Sequence, residues 1–181
     1  MSFLSEYQPF FDRTLRAAKL DVKLYEEVEA DKSATPQALA VVVLSSLAAG
    51  IGTIGQIGGY GNLLEALFFS VLGWLIMAGL TYWVGTRILP EPQTKANFGE
   101  LLRTIGFSTA PGLIRVLGIL PGLTHLVFIV AAVWNLIALV IAVRQALDYE
   151  STWRAMGVCV IGWIVQFLIL VPVFLLSPQN L

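Results

Sequence analysis

The chain has 181 residues, 57% of them hydrophobic and 13% charged, with a mean hydropathy of +0.79 and a net charge of −1. Soluble domains carry roughly 25% charged residues, and a single soluble core cannot hide this much apolar surface, whereas a bilayer can. The near-neutral balance gives no basic field for nucleic acid, the lone Cys159 excludes an intramolecular disulfide, and the lone His125 excludes a histidine-based metal cluster.

Residues 1–35 read as a cytoplasmic amphipathic arm, charged throughout and without the apolar core of a secretory signal. From Gln8 to Ala30 the pattern predicts one helix. Phe11, Leu15, Ala18, Val22, Tyr25 and Val28 recur at spacings of three and four, and Arg13, Arg16, Lys19 and Lys23 do so on another face. Paired stripes of this kind suit a helix lying in the membrane interface or one packed on the protein's own bundle. Glu26, Glu27, Glu29 and Asp31 follow, as a solvated face more readily than a docking patch.

Thr35-Pro36 starts the first span, with Thr35 as expected N-cap and Pro36 in the first turn. The span runs over about 37–58 and is rich in small residues. Gly55 and Gly59 form a GxxxG, and Ala48 and Gly52 a relaxed one, so Gly52, Gly55 and Gly59 are candidate positions for close helix packing. Gly50, Gly52 and Gly55 also spell GxGxxG, but no strand precedes them and no acid follows at the ribose position, which removes a dinucleotide site. Span two covers about 63–89, with Glu65 at its outer end and Tyr82 and Trp83 in an interfacial belt at its inner end.

Span three, about 101–120, is the irregular one. It carries Pro111-Gly112 and a single cation, Arg115, among leucines and isoleucines, and Pro121-Gly122 follows it. Proline lacks an N–H and its ring clashes with the preceding turn, so the helix is expected to break at Pro111. Such a break survives in lipid only where neighbouring helices cover the freed carbonyls, which places this segment inside the bundle with the other spans around it. Spans four (about 123–147) and five (about 153–176) complete the chain. The eleven Lys and Arg test this division. Five lie in the arm, three around the loop after span two, and two around the loop after span four, while the other turns and the tail hold none. Ten therefore fall on alternate sides in order, which places the N-terminus in the cytoplasm and the C-terminus outside.

Intramembrane polar residues are costly and each needs a purpose. Arg115 lies about 18 Å beyond Arg103 if the segment is helical. It can snorkel outward or pair with Glu65, the one acid expected on that side, and this structural role is favoured over a substrate or headgroup site. Asn135 and Gln166 sit at similar depth in spans four and five, where a hydrogen bond between them would act as glue. His125 reads as an ordinary hydrogen-bonded residue; as an axial ligand to a haem or chlorophyll-type pigment it is the weaker reading. No HExxH, CxxC or Walker-A pattern is present, and a Ser-His-acid arrangement would have to join His125 to Glu65. No enzymatic activity, metal or cofactor is expected.

Three phrases carry a family likeness: LYEEVEADKSATPQALAVV, LLRTIGFSTAPGLIRVLGILPG, and VWNLIALVIAVRQALDYESTWRAMGVCVIGWI. Together they resemble the bacterial branch of the YIP (Ypt/Rab-interacting protein) membrane family over about residues 20–170. The resemblance implies five helical spans, a cytoplasmic N-terminus and a short external C-terminus. Eukaryotic members act in vesicle traffic, bind small GTPases and shape membranes.

The expectation is thus an all-α polytopic protein. A cytoplasmic arm (1–35) precedes a five-helix transmembrane domain (36–181) whose third helix is broken, in the cytoplasmic membrane. The expected role is structural or adaptor-like, as an accessory subunit of a larger membrane complex, with the bilayer and other membrane subunits or further copies as partners. The alternative is a small transporter, channel or lipid-handling protein that uses the break at Pro111 and Gly112 together with Arg115. No second broken helix provides the internal repeat that such transporters show.

Overall fold

The computed structural model describes residues 2–54 and 63–175, with side chains described over 9–54 and 64–173. Gly55 and Gly59 lie outside the described residues. Among the described residues the structure is all-helical: α1 (Ser2–Ala18), α2 (Val22–Ala30), α3 (Thr35–Thr53), α4 (Leu63–Trp83), α5 (Phe98–Phe107), α6 (Thr124–Ala146) and α7 (Thr152–Leu175). Between α5 and α6 runs a 3-10 segment, Ala110–Ile119, and α4 ends in a π-turn, Val84–Ile88.

The arm expected as one helix is two. Leu20 adopts a positive φ of 62° that closes α1, and the Asp21 side chain accepts from the Lys23 N–H to start α2. A strong local cap thus overrides the continuous apolar periodicity. Thr35 is not the N-cap of α3 either. Ala34 holds that position with no side-chain cap, while Asp31 caps a short 3-10 turn, Lys32–Ala34, just before it. The Thr35 hydroxyl bonds backward to the Lys32 carbonyl.

Among the described residues four helices are long and apolar enough to cross a membrane: Lys32–Thr53, Leu64–Ile88, Thr124–Ala146 and Thr152–Val173. Their apolar windows are only 17–33% buried inside the protein. Phe167 and Leu168 on α7 are each 65% exposed, in a band that also includes Phe68, Leu126, Ile129 and Val133. Soluble monomers rarely leave so many large apolar side chains exposed to water, and the chain is a multi-pass membrane protein.

α5 and the 3-10 segment run parallel to α3. Gly106 lies on Ala38, Gly112 on Ser45, and Arg115 and Gly118 on Gly52, so the order rises together along both. From Ala38 to Gly52 this shared path covers about 21 Å at 1.5 Å per residue. α6 runs antiparallel to both: the Thr124 hydroxyl donates to the Gly118 carbonyl at one end, and Gln145 donates to Glu26 of α2 at the other. α7 pairs antiparallel with α4, with Gly162 against Met77 and Gly73 against Gln166. The core fills the inside of this bundle with Val41, Val42, Ala78, Leu101, Phe107, Ala142, Val143 and Val158.

The arm and both polar loops meet at one end. Glu91 accepts from the main-chain N–H groups of Glu150 (2.9 Å) and Ser151 (3.4 Å), and Arg154 donates to the Pro90 carbonyl. Tyr149 donates to the carbonyls of Gly85 (2.9 Å) and Leu89 (2.7 Å), which fixes the π-turn to the α6–α7 loop. This end is called the arm end below, and the opposite one the far end.

Candidate functional site

Two places gather chemistry: the junction beneath the arm, and a cleft inside the bundle.

The junction is built on Arg103, two turns into α5. Asn97 caps α5 in a reciprocal capping box with Glu100, which fixes the register of the helix start. Arg103 then points under α2, where its Nε donates to the Val28 carbonyl at 2.8 Å and its Nη2 to the Glu29 carbonyl. These carbonyls belong to the last turn of α2, which has no helical partners of its own, and a cation there also meets the negative end of the helix dipole. Arg103 is only 5% exposed.

On the outer side of the arm, Glu27 accepts from Arg13 (2.9 Å) and Arg16 (2.7 Å), while Arg16 also pairs with Asp21 and Arg13 with Asp31. The bond from Arg16 is the main cause that holds the Glu27 carboxyl below its ordinary value, with Arg13 assisting. Beside Arg103 a cavity of about 590 Å³ is lined by Glu26, Glu29, Glu100, Asp148 and Glu150, with Arg144 and Gln145. Burial, then repulsion from Glu100 and Asp148, pushes the Glu29 carboxyl up to about 7.

The cleft lies where α5 gives way to the 3-10 segment. α5 ends at Phe107, just ahead of the expected position at Pro111. Pro111 takes the first turn of the 3-10 segment and is buried there. The hydroxyls of Ser108 and Thr109 donate to the carbonyls of Ile105 and Gly106, both at 2.7 Å, so local side chains take up carbonyls at the junction. Gly112 then lets the backbone approach its neighbours: a Cβ there would overlap the Ser45 hydroxyl and lie 3.1 Å from Asn135 Nδ2 and 3.2 Å from Arg115 Nη1.

Arg115 therefore folds back toward the turn before it. Its guanidinium carbon sits 5.9 Å from the Phe128 ring centroid, a cation–π distance. Among the described residues no ion pair joins it to Glu65, which lies in the first turn of α4. Arg115 and the expected pair Asn135 and Gln166, assigned separate roles in the sequence, line one cleft of about 370 Å³ together with Ser108, Thr109 and Trp163. Among the described residues Asn135 and Gln166 share no hydrogen bond, and Asn135 Oδ1 is buried without a donor. Trp74, also in the lining, donates its indole N–H to the Leu102 carbonyl at 2.9 Å and ties α4 to α5.

His125 is exposed in the first turn of α6 at the far end. Among the described residues no cluster of His, Cys, Asp and Glu is arranged to hold a metal. The junction at Arg103 was not legible in the sequence, where Arg103 counts only as a loop cation. Its one signal is an arginine placed inside the apolar stretch of a capped helix.

A family model for the Yip1 domain matches residues 23–174. No curated protein and no solved structure matches the chain.

Proposed function

The chain belongs to the Yip1 family, and from that premise we propose that it is a non-enzymatic, five-span membrane adaptor that organises membrane proteins around its helix faces. One observation carries this reading: the arm is anchored rather than free. Arg103 holds the last turn of α2 from inside the bundle, and Gln145 holds Glu26 from α6. α1 and α2 thus form a fixed plate at one end of the transmembrane helices. The plate presents an ion-paired face of Arg13, Arg16 and Glu27, and an exposed apolar strip of Phe11, Leu15 and Val22 that suits the membrane interface. A partner that docks on this plate is coupled directly to the bundle.

The fifth span in this proposal is α5 with the 3-10 segment. Ten residues at 1.5 Å and ten at 2.0 Å give about 35 Å of rise, comparable with a hydrocarbon core of about 30 Å. The parallel path along α3 supports the assignment. The arm end carries the arm and both polar loops, and with them ten of the eleven cations, so the positive-inside rule makes it cytoplasmic and leaves the C-terminus outside. Residues 1–35 are then the cytoplasmic arm and 36–181 the transmembrane domain, in the cytoplasmic membrane.

The test is gentle detergent extraction from native membranes, native gel separation and mass spectrometry of the bands. The adaptor reading expects a defined larger assembly that contains other membrane subunits or further copies, and expects Arg103→Ala to release it. Migration as a lone chain under conditions that keep known complexes whole overturns it.

A further inference from the structure

Arg115 is a cation inside a membrane bundle, and among the described residues its cleft lining contains no aspartate or glutamate. Its side chain turns back along the 3-10 segment toward Gly112 and Asn135. A charge placed this way in a low-dielectric interior calls for a counter-anion. Beside it, Asn135 Oδ1 is a buried acceptor with no donor. The cleft thus offers donors for an oxyanion on Arg115 and an acceptor for a hydroxyl on Asn135.

The cleft also continues into apolar space. Phe69, Trp163 and Gln166 line both it and a neighbouring groove of about 410 Å³, whose remaining walls are Phe167, Leu170 and Val171 on α7. A cationic head site joined to a mostly apolar groove between α4 and α7 matches the build of an amphiphile. A free inorganic anion would leave the groove empty, a lipid without a phosphate would leave the guanidinium without a counter-charge, and a zwitterionic one would bring a second cation into the cleft.

We infer that this cleft binds one anionic phospholipid with a hydroxyl-bearing headgroup, its phosphate on Arg115, a headgroup hydroxyl on Asn135 Oδ1 and an acyl chain in the α4–α7 groove. The site goes beyond the adaptor role and does not depend on it. Gln166 lines both the cleft and the groove, with its Nε2 beside Gly73 of α4, and so stands where head meets chain.

The experiment uses the full chain purified in mild detergent and supplied separately with phosphatidylglycerol, phosphatidic acid, phosphatidylcholine and inorganic phosphate. Native mass spectrometry reads retention, and thermal unfolding reads the shift. The expected result is one phosphatidylglycerol retained per chain and a higher Tm with that lipid, with little response to phosphatidylcholine or inorganic phosphate. Arg115→Gln is expected to lower retention at least tenfold. Asn135→Leu is expected to abolish the preference for phosphatidylglycerol over phosphatidic acid while leaving anionic binding in place. Should Arg115→Gln fail to fold, Gln166→Leu on the opposite wall replaces it, with an expected loss of several-fold. Equal retention by wild type and the folded variant overturns the inference, as does an equal response to phosphatidylcholine. Full competition by inorganic phosphate would make this a free-anion site and overturn the lipid assignment.

Discussion

Arg103 and Val28 are 75 positions apart in sequence and joined by a 2.8 Å hydrogen bond in the interior of the protein. The donor is a charged side chain on α5 and the acceptor is main chain at the end of α2. Arg103→Ala removes two charge-assisted bonds and leaves buried carbonyls without donors, for an expected loss of about 2–4 kcal/mol. Arg103→Lys restores the charge but not the planar fork, and is expected to recover only part of it. Thermal unfolding in detergent measures the loss, and limited trypsinolysis should show earlier cleavage at Lys19, Lys23 and Lys32. An arm equally protected in the alanine variant would mean that Arg103 does not anchor it.

Glycine substitutions separate close packing from open surface. A Cβ at Gly52 would run into the main-chain carbonyl of Arg115, which cannot rotate away. Gly52→Ala is expected to destabilise by about 1–3 kcal/mol. At Gly157 the nearest atom is Leu89 Cδ1 at 3.6 Å, an ordinary contact. Gly157→Ala is expected to be neutral or to add up to about 1 kcal/mol through helix propensity. Equal melting temperatures for the two variants would contradict the close crossing of α3 and the 3-10 segment.

The long helices were legible because hydropathy writes them locally. α6 and α7 begin and end within a residue or two of the apolar runs that predict them. The change from α-helix to 3-10 geometry falls between Phe107 and Ala110, ahead of Pro111, the residue whose missing N–H points to a break in the sequence. The break at Leu20 was hidden because the apolar stripe continues through it, and only the backbone geometry at Leu20 and the Asp21 cap reveal it. The shared cleft of Arg115, Asn135 and Gln166 depends on three elements meeting at one depth. Sequence supplies each depth along its own helix but not which faces turn inward.

The junction under the arm responds to pH. The Glu29 carboxyl in the folded protein lies at about 7, above its ordinary 4.5. The folded state therefore holds this proton more tightly than the unfolded state. The contribution of Glu29 to stability is most favourable below 4.5 and declines as pH rises to about 7. Glu29→Gln is expected to match wild type near pH 4 and to exceed it at pH 8 by on the order of 1–2 kcal/mol. A variant no more stable than wild type at pH 8 would show that neither burial nor the charges of Glu100 and Asp148 penalise the ionised Glu29.

The proposed topology predicts which side each loop faces. In a chain with Cys159 replaced by alanine, single cysteines at Lys19, Lys95 and Glu150 should react with an impermeant thiol reagent only from the cytoplasmic face. A cysteine at Leu120 should react only from outside. Reaction of Leu120→Cys and Lys95→Cys from the same side would exclude a crossing by α5 and the 3-10 segment.

The 3-10 segment has a consequence for how the protein is made. Its shelter comes from two sides: α3, which precedes it, and α6, which follows. When Arg115 leaves the ribosome, Phe128 and Asn135 are still inside the exit tunnel, so the cation and the loosened backbone around Pro111 have half their environment. Release of this segment into lipid by itself would expose both. Insertion is therefore expected to be cooperative and delayed, with residues 98–119 entering together with α6 as a hairpin. Arrest-peptide force measurements on nascent chains of increasing length should then show one strong pull as α6 emerges, rather than a separate earlier pull for this segment.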